Sequence, residues 1–151
     1  MRIALYEPDI PQNTGTILRL AACFGLGVDI VGPPGFALDD RRMRRAGMDY
    51  LDRVEIACHD DWPGFRRAAT RRLLLFSTRS EASYLDFAYR ADDTLLFGRE
   101  SGGVPPAVHE AADARLVIPI RPGLRSLNLA VAVAMATGEA LRQTGGMPGK
   151  G

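Results

Sequence analysis

Residues 72–77 read Arg-Leu-Leu-Leu-Phe-Ser (RLLLFS), and the choice of fold turns on this run. A strand with one face in water alternates apolar and polar side chains. Four successive apolar residues, Leu73 to Phe76, ask for cover on both faces, as in a parallel sheet flanked by helices. DTLLFG (93–98) and RLVIPI (115–120) share the pattern. Toward the N-terminus, RIALYEP (2–8) reads as a buried strand ended by Pro8, VDIVG (28–32) as a second strand and RVEIAC (53–58) as a third. Helical patterns fall between these strands. NTGTILRLAACFG (13–25) carries an apolar stripe stopped by Gly25 and Gly27. DDRRMRRAG (39–47) has Asp39 or Asp40 as cap and Gly47 as stop, and DDWPGFRRAAT (60–70) has Pro63 near its first turn. PPAVHEAA (105–112) and RSLNLAVAVAMATGEALR (125–142) supply the last two helices. The alternation predicts an α/β domain: a mostly parallel, six-stranded sheet with helices on both faces. Neither a repeat nor a linker interrupts residues 1–144, which are expected to form a single domain. The Gly/Pro-rich GGMPGKG at 145–151 reads as a disordered tail.

Bulk properties remove several classes of function. With 46% hydrophobic and 25% charged residues in a 151-residue chain, the composition is that of a soluble globular protein. No apolar run approaches membrane-spanning length, and the N-terminus lacks the apolar core and cleavage site of a leader, so a cytoplasmic protein is expected. Cys23, Cys58, His59 and His109 have no metal-ligand spacing, and no metal is expected. For the neighbours Cys58 and His59 the plain reading is a buried thiol and a surface histidine. Net charge is only +1, yet the basic residues are 18 Arg and a single Lys. Arginine's planar fork suits phosphate, so the bias is consistent with RNA binding without establishing it.

In parallel sheets ligands bind beyond the carboxyl ends of the strands. Those ends lead into EPDIPQNTG (7–15), STRSEAS (77–83), GRESGGVP (98–105) and PIRPGLRSLN (119–128), the last three rich in Gly, Pro, Ser and Thr. They predict a pocket walled mostly by backbone. GRESGGVP reads either as a tight turn or as a close-approach loop. It is no serine-hydrolase elbow, because Ser101 has the wrong glycine spacing, and no Walker A loop, because Gly-Lys-Ser/Thr is absent. The Gly-x-Gly-x-x-Gly dinucleotide fingerprint is missing after the first strand. Asn13 reads equally as an N-cap. Arg19 lies six residues on, about 600° around a helix, either snorkelling from an apolar stripe or offering a guanidinium to phosphate. Arg41, Arg42, Arg44 and Arg45 form either a solvated face paired with Asp39, Asp40 or Asp49, or a patch that grips phosphate. Arg66, Arg67, Arg71 and Arg72 make a second, weaker cluster.

Three motifs taken together resemble the SPOUT-class RNA methyltransferases that act on ribose 2′-hydroxyls. They are Asn-x-Gly-x-x-x-Arg (Asn13, Gly15, Arg19), Phe-Gly-x-Glu-x-x-Gly-x-Pro (Phe97, Gly98, Glu100, Gly103, Pro105) and Ser-Leu-Asn-Leu (Ser126 to Leu129). Each is modest alone; their order and spacing across nearly the whole chain are specific. LYEPDIPQNTGTILRLA, RRMRRAGMDY and the short length narrow the resemblance to the minimal bacterial enzymes that methylate the wobble ribose, position 34, of leucine tRNAs. The resemblance, and not periodicity, implies a deep C-terminal trefoil knot and a homodimer. It implies S-adenosylmethionine as cofactor, held by Ser77, Thr78, Gly98, Glu100, Ile118, Pro119, Ser126 and Leu127, and the tRNA anticodon stem-loop as partner.

Methyl transfer from a sulfonium to a ribose oxygen needs alignment and loss of the 2′-hydroxyl proton. The resemblance gives Arg19 a role in activating that hydroxyl. An arginine stays protonated, so its expected part is to grip the adjacent phosphate and stabilise the developing alkoxide, with phosphate or water accepting the proton. Asn13, Ser126 and Asn128 would orient the ribose and the loops. Glu100 would either pair with Arg19 or another arginine, or favour the cationic donor. The competing readings are the same chemistry on another tRNA or rRNA ribose, and a non-catalytic RNA-binding α/β module. In the last helix the polar entrance would be the cofactor edge, and the apolar body would offer one face to the core and another to a second copy.

Overall fold

In the computed structural model, which describes residues 1–149, every strand belongs to one parallel sheet. The elements run β1 (Arg2–Tyr6), α1 (Pro11–Phe24), β2 (Gly27–Val31), α2 (Arg41–Gly47), a 3₁₀ turn (Met48–Arg53), β3 (Ile56–His59), α3 (Trp62–Ala68), β4 (Leu73–Phe76), β5 (Ala82–Ser83), β6 (Thr94–Phe97), α4 (Pro106–Ala111), β7 (Ala114–Val117) and α5 (Leu129–Thr144). The sheet has seven strands in the order β3-β2-β1-β6-β4-β7-β5, not six. The additional strand is the two-residue β5, which pairs with β7 at the sheet edge. So short an edge strand carries no period-2 signal. The expected tail is described only to Gly149: α5 ends at Gly145, which caps it in the left-handed conformation (φ 67°), and Lys150 and Gly151 lie outside the described residues.

The apolar runs of β1, β4 and β6 are continuous because these central strands feed two cores. On one face Ile3, Leu5, Val28, Ile30, Leu74, Phe76, Leu95 and Phe97 meet Ile17, Leu18 and Ala21 of α1 and Val133, Ala136 and Ala140 of α5. On the other, Ala4, Tyr6, Val31, Leu73, Leu75 and Leu96 meet Phe65 of α3 and Val108 of α4. Adjacent residues point to opposite faces of a strand, so both sets must be apolar.

Several helix ends differ from the sequence reading. α1 begins two residues before Asn13, at Pro11, where the missing N–H costs nothing, and its N-cap is Ile10 with no side-chain bond. Asp40 caps α2 by accepting the Arg42 N–H, as one of the two expected residues. Gly47 does not supply the left-handed stop. It is the last residue of α2, and Met48 takes φ 54° instead. A Cβ at Gly47 would meet the Leu51 side chain of the following 3₁₀ turn, and one at Gly15 the Met43 carbonyl, so Gly15 is the glycine that the close crossing of α1 and α2 requires.

The reading of Cys58 and His59 is inverted. Cys58 is exposed, whereas His59 is half-buried, with Nε2 2.9 Å from Asp29 Oδ1. The buried Asp29 also accepts from Arg2 Nε at 2.6 Å. β3 is an edge strand with an alternating burial pattern, and histidine takes the inward side because a carboxylate waits there.

Candidate active site

The strand order reverses beside β1: β2 and β3 extend to one side, β6, β4 and β7 to the other. A cavity of about 560 Å³ opens at the carboxyl ends of β4, β6 and β7, where such sheets take ligands. Ser77 and Thr78 follow β4, Gly98 to Val104 follow β6, and Ile118 and Ile120 follow β7. Arg125 to Leu129 close it from the entrance of α5, and Ile10 and Asn13 from α1. Of the eight cofactor residues implied by the resemblance, seven line this cavity. Pro119 does not; it is exposed between Ile118 and Ile120, which do.

GRESGGVP is both a tight turn and a close approach. Arg99 and Gly103 exchange backbone hydrogen bonds at 3.1 and 2.8 Å, with Gly103 at φ 64°. A Cβ on Gly98 would lie 2.5 Å from the Gly103 carbonyl carbon, so only glycine fits there. Across the cavity, Arg125, Ser126 and Leu127 line the wall, and their backbone N–H groups make no hydrogen bond among the described residues.

A directed chain of hydrogen bonds joins the three motifs. Asn128 Oδ1 accepts the N–H groups of Ala130 and Val131, capping α5 at 2.9 and 3.3 Å. Its Nδ2 then donates to Asn13 Oδ1 at 3.0 Å. Asn13 Nδ2 in turn donates to Glu100 Oε1 at 3.3 Å, while Glu100 Oε2 accepts the Asp9 N–H at 3.0 Å. The helix N-terminus supplies only donors, so the polarity of both amides is fixed from α5 to the carboxyl group. This explains why Asn13 is no N-cap: its side chain is engaged elsewhere.

Glu100 pairs with no arginine, contrary to one expectation. Burial pushes its carboxyl above the ordinary range, and the neighbouring Asp9 adds to the rise. Hydrogen bonding to Glu100, then to Ser101, holds Asp9 below its ordinary value. Arg99 sits 3.4 Å from Glu7 Oε2 and 3.9 Å from Asp9 Oδ2. Sequence reasoning misses Asp9 and Arg99 as members of the site, and takes Ser101 only as a nucleophile to be excluded. The signal is present in EPD and GRES, since each ends a strand that enters the site. His109 is missed as well: it lines the cavity, and its Nε2 is buried without a partner among the described residues.

Arg19 is not brought to the cavity. It is exposed on α1, with Nη1 3.1 Å from Met48 Sδ and its guanidinium carbon 5.1 Å from the centre of the Tyr50 ring. The six-residue spacing from Asn13 carries it around the helix, as the rotation predicts. The four arginines of α2 are exposed but not equivalent. Arg42 is engaged by Asp40 through both Nε and Nη2, while Arg41, Arg44 and Arg45 make no ion pair among the described residues. No group of three or more His, Cys, Asp or Glu that could hold a metal occurs among the described residues. No helix there is long and apolar enough to cross a membrane.

The chain matches the SpoU rRNA Methylase family over residues 1–138. It is 57% identical over 148 residues to a tRNA (cytidine(34)-2'-O)-methyltransferase of Beijerinckia indica, covering 96% of this chain and 92% of that one. A solved structure concerned with the 2-OH methylation of C/U34 on tRNA is 42% identical, with a TM-score of 0.91 and 94% of each chain covered. An AdoMet-bound rRNA methyltransferase from Sinorhizobium meliloti is 29% identical with a TM-score of 0.85, over 93% of this chain and 55% of that one. The α/β architecture and the motif resemblance thus agree with full-length similarity, and the chain belongs to the SpoU rRNA methylase family, in which tRNA (cytidine(34)-2'-O)-methyltransferases are among its relatives.

Proposed function

We propose that this chain transfers a methyl group from S-adenosylmethionine to the ribose 2′-oxygen of nucleotide 34 in leucine tRNAs. The observation that carries the reading is the chain Glu100–Asn13–Asn128, which ties all three motifs to one cavity at the sheet's carboxyl edge. The cavity volume is within the range of small-molecule sites, about 300–1,000 Å³. Its donor set also suits this cofactor: free backbone N–H groups for polar edges, and the acidic Asp9 and Glu100 nearby for a cation. Ser77, Thr78, Gly98, Glu100, Ile118, Ser126 and Leu127 would hold it, with Pro119 shaping the loop between them. When bound, the cofactor supplies an activated methyl on a sulfonium.

The protein's own part is alignment and charge. Asn13 and Asn128 hold the α1 and α5 entrances in register, and Ser126 lies where it can orient the ribose. Arg19 lies outside this chain's own cavity, so in the proposed homodimer it would grip the phosphate beside the target and stabilise the developing alkoxide at the cavity of the second copy. Arg41, Arg44 and Arg45 hold the anticodon stem-loop through its phosphates, with Arg42 contributing its remaining donors.

The reading includes a single cytoplasmic domain over residues 1–144 and the deep C-terminal trefoil knot that the resemblance implies; the high structural similarity to known members supports the domain and the knot. It also includes a homodimer. Val131, Ala134 and Met135 form an exposed apolar face on α5, opposite the buried Val133, Ala136 and Ala140, and such a face suits a second copy. The test is nucleoside mapping of leucine tRNAs from cells with and without the gene. Loss of the 2′-O-methyl group at position 34 on deletion is expected, and an unchanged level there rules the target out. Methyl transfer to another RNA would then point to the same chemistry on a different ribose.

A further inference from the structure

Five arginines with assigned ion pairs, Arg2, Arg42, Arg72, Arg99 and Arg142, face carboxylates. Arg19 is held just as specifically but by neutral groups. A thioether accepts from its edge and an aromatic ring lies under its face, with no carboxylate within 4.0 Å among the described residues. A carboxylate would orient a guanidinium and cancel its charge together. A ring and a sulfur orient it and leave both the charge and most of its donors free. We infer that Tyr50 and Met48 are positioning residues: a neutral clamp that presents Arg19, still fully charged, to an RNA phosphate or developing alkoxide.

The backbone beneath the clamp supports this. Gly15 lets α1 and α2 cross where a Cβ would collide with the Met43 carbonyl and the Gly47 nitrogen, which sets the start of the 3₁₀ turn over α1. Met48 follows at φ 54° and ψ −142°, a conformation side chains disfavour, yet the residue is methionine and not glycine. A position that would be more comfortable as glycine and nonetheless keeps a side chain toward Arg19 is explained if that side chain has work at Arg19. The clamp rests on the proposed role of Arg19, so its test must separate the two.

Turnover on leucine tRNA, cofactor affinity by calorimetry and Tm are measured for Arg19→Ala, Tyr50→Phe, Tyr50→Leu and Met48→Gly. Tyr50→Phe retains the ring and most of the turnover. Tyr50→Leu retains apolar bulk but lowers kcat about two- to fivefold, with cofactor affinity unmoved, in keeping with the strength of an exposed cation–π interaction. Met48→Gly holds or raises Tm, because it relieves the backbone, and still lowers kcat several-fold. Opposite movements of stability and turnover are not what a merely structural residue gives. If Arg19→Ala abolishes turnover while Tyr50→Leu matches Tyr50→Phe, or while Met48→Gly turns over like the parent, the clamp is overturned and the role of Arg19 stands. If Arg19→Ala itself retains full turnover, the role of Arg19 falls and takes the clamp with it.

Discussion

Asn128 joins a helix cap to the site, and replacing it separates the two. Asn128→Ala removes the acceptor for two α5 N–H groups, at about 1 kcal/mol for a missing cap. It also deletes the donor to Asn13, a partly exposed bond worth up to about 1 kcal/mol. The expected total is about 2 kcal/mol, or a Tm drop of about 4–8 °C for a chain of this size. Asn128→Asp is the sharper variant. Aspartate caps as well as asparagine and suits the helix dipole, so the first penalty vanishes. It cannot donate, however, so Asn13 must turn its amide around and present Oδ1 to Glu100. Two oxygens at about 3 Å are tolerable only if the Glu100 carboxyl is protonated, and its pKa, already raised by burial, rises further. A group whose folded pKa is raised stabilises the fold below its unfolded value, and that stability is lost as pH rises through the folded value. Asn128→Asp should therefore match the parent in Tm near pH 5 and fall below it by several degrees by pH 8. Cofactor affinity by calorimetry should decline in parallel. Thermal unfolding at fixed protein concentration over that range is the assay. An Asn128→Asp protein indistinguishable from the parent throughout would refute the directed chain. An Asn128→Ala penalty below about 0.5 kcal/mol would refute the cap.

Arg19→Ala is expected to lose turnover while keeping cofactor affinity, read by tritium transfer to tRNA beside calorimetric titration; retained methylation sinks its assigned role. Gly98→Ala forces a Cβ to 2.5 Å from the Gly103 backbone, so it should destabilise by about 1–3 kcal/mol and weaken cofactor binding. An unchanged Tm and affinity would mean that the turn relaxes freely. Neutralising Arg41 and Arg45 should raise the KM for tRNA and reduce the salt slope by about 0.9 for each phosphate no longer neutralised, with cofactor affinity unchanged. Neutralising Arg42 should do less, because Asp40 already engages two of its donors.

Strands are legible where burial writes them into composition. LLLF at 73–76 and LLF at 95–97 can sit only between two helical layers, and they do. β5 is not legible, because two residues at a sheet edge owe their pairing to β7 and not to their own pattern. The same limit applies to Met48. Gly47 looks like the stop of α2 by propensity alone, yet it keeps a right-handed φ of −78° beside a crossing of α1 and α2 that is crowded at Gly15. Such crowding is a tertiary fact, and it overrides the local rule. His59 makes the point with polarity: on a strand edge a histidine reads as the wet residue until Asp29, thirty positions away, gives its ring a partner inside.

The site is legible as a set of loops and illegible as a circuit. Glycine, serine and asparagine at strand ends mark the cavity correctly, because close backbone approach needs those residues wherever they converge. What no local pattern contains is the direction of a hydrogen bond between partners 87 or 115 residues apart. Taken singly, Asn13 and Asn128 each have the makings of an N-cap, and only Asn128 acts as one. The difference follows from donor counting. α5 starts without a proline and needs an acceptor, which fixes the Asn128 amide. α1 starts with Pro11 and needs less from a side chain, which frees Asn13 to pass the polarity on to Glu100. A proline at the start of one helix thus sets which asparagine caps and which connects, and the connection holds the carboxyl group at the cavity wall.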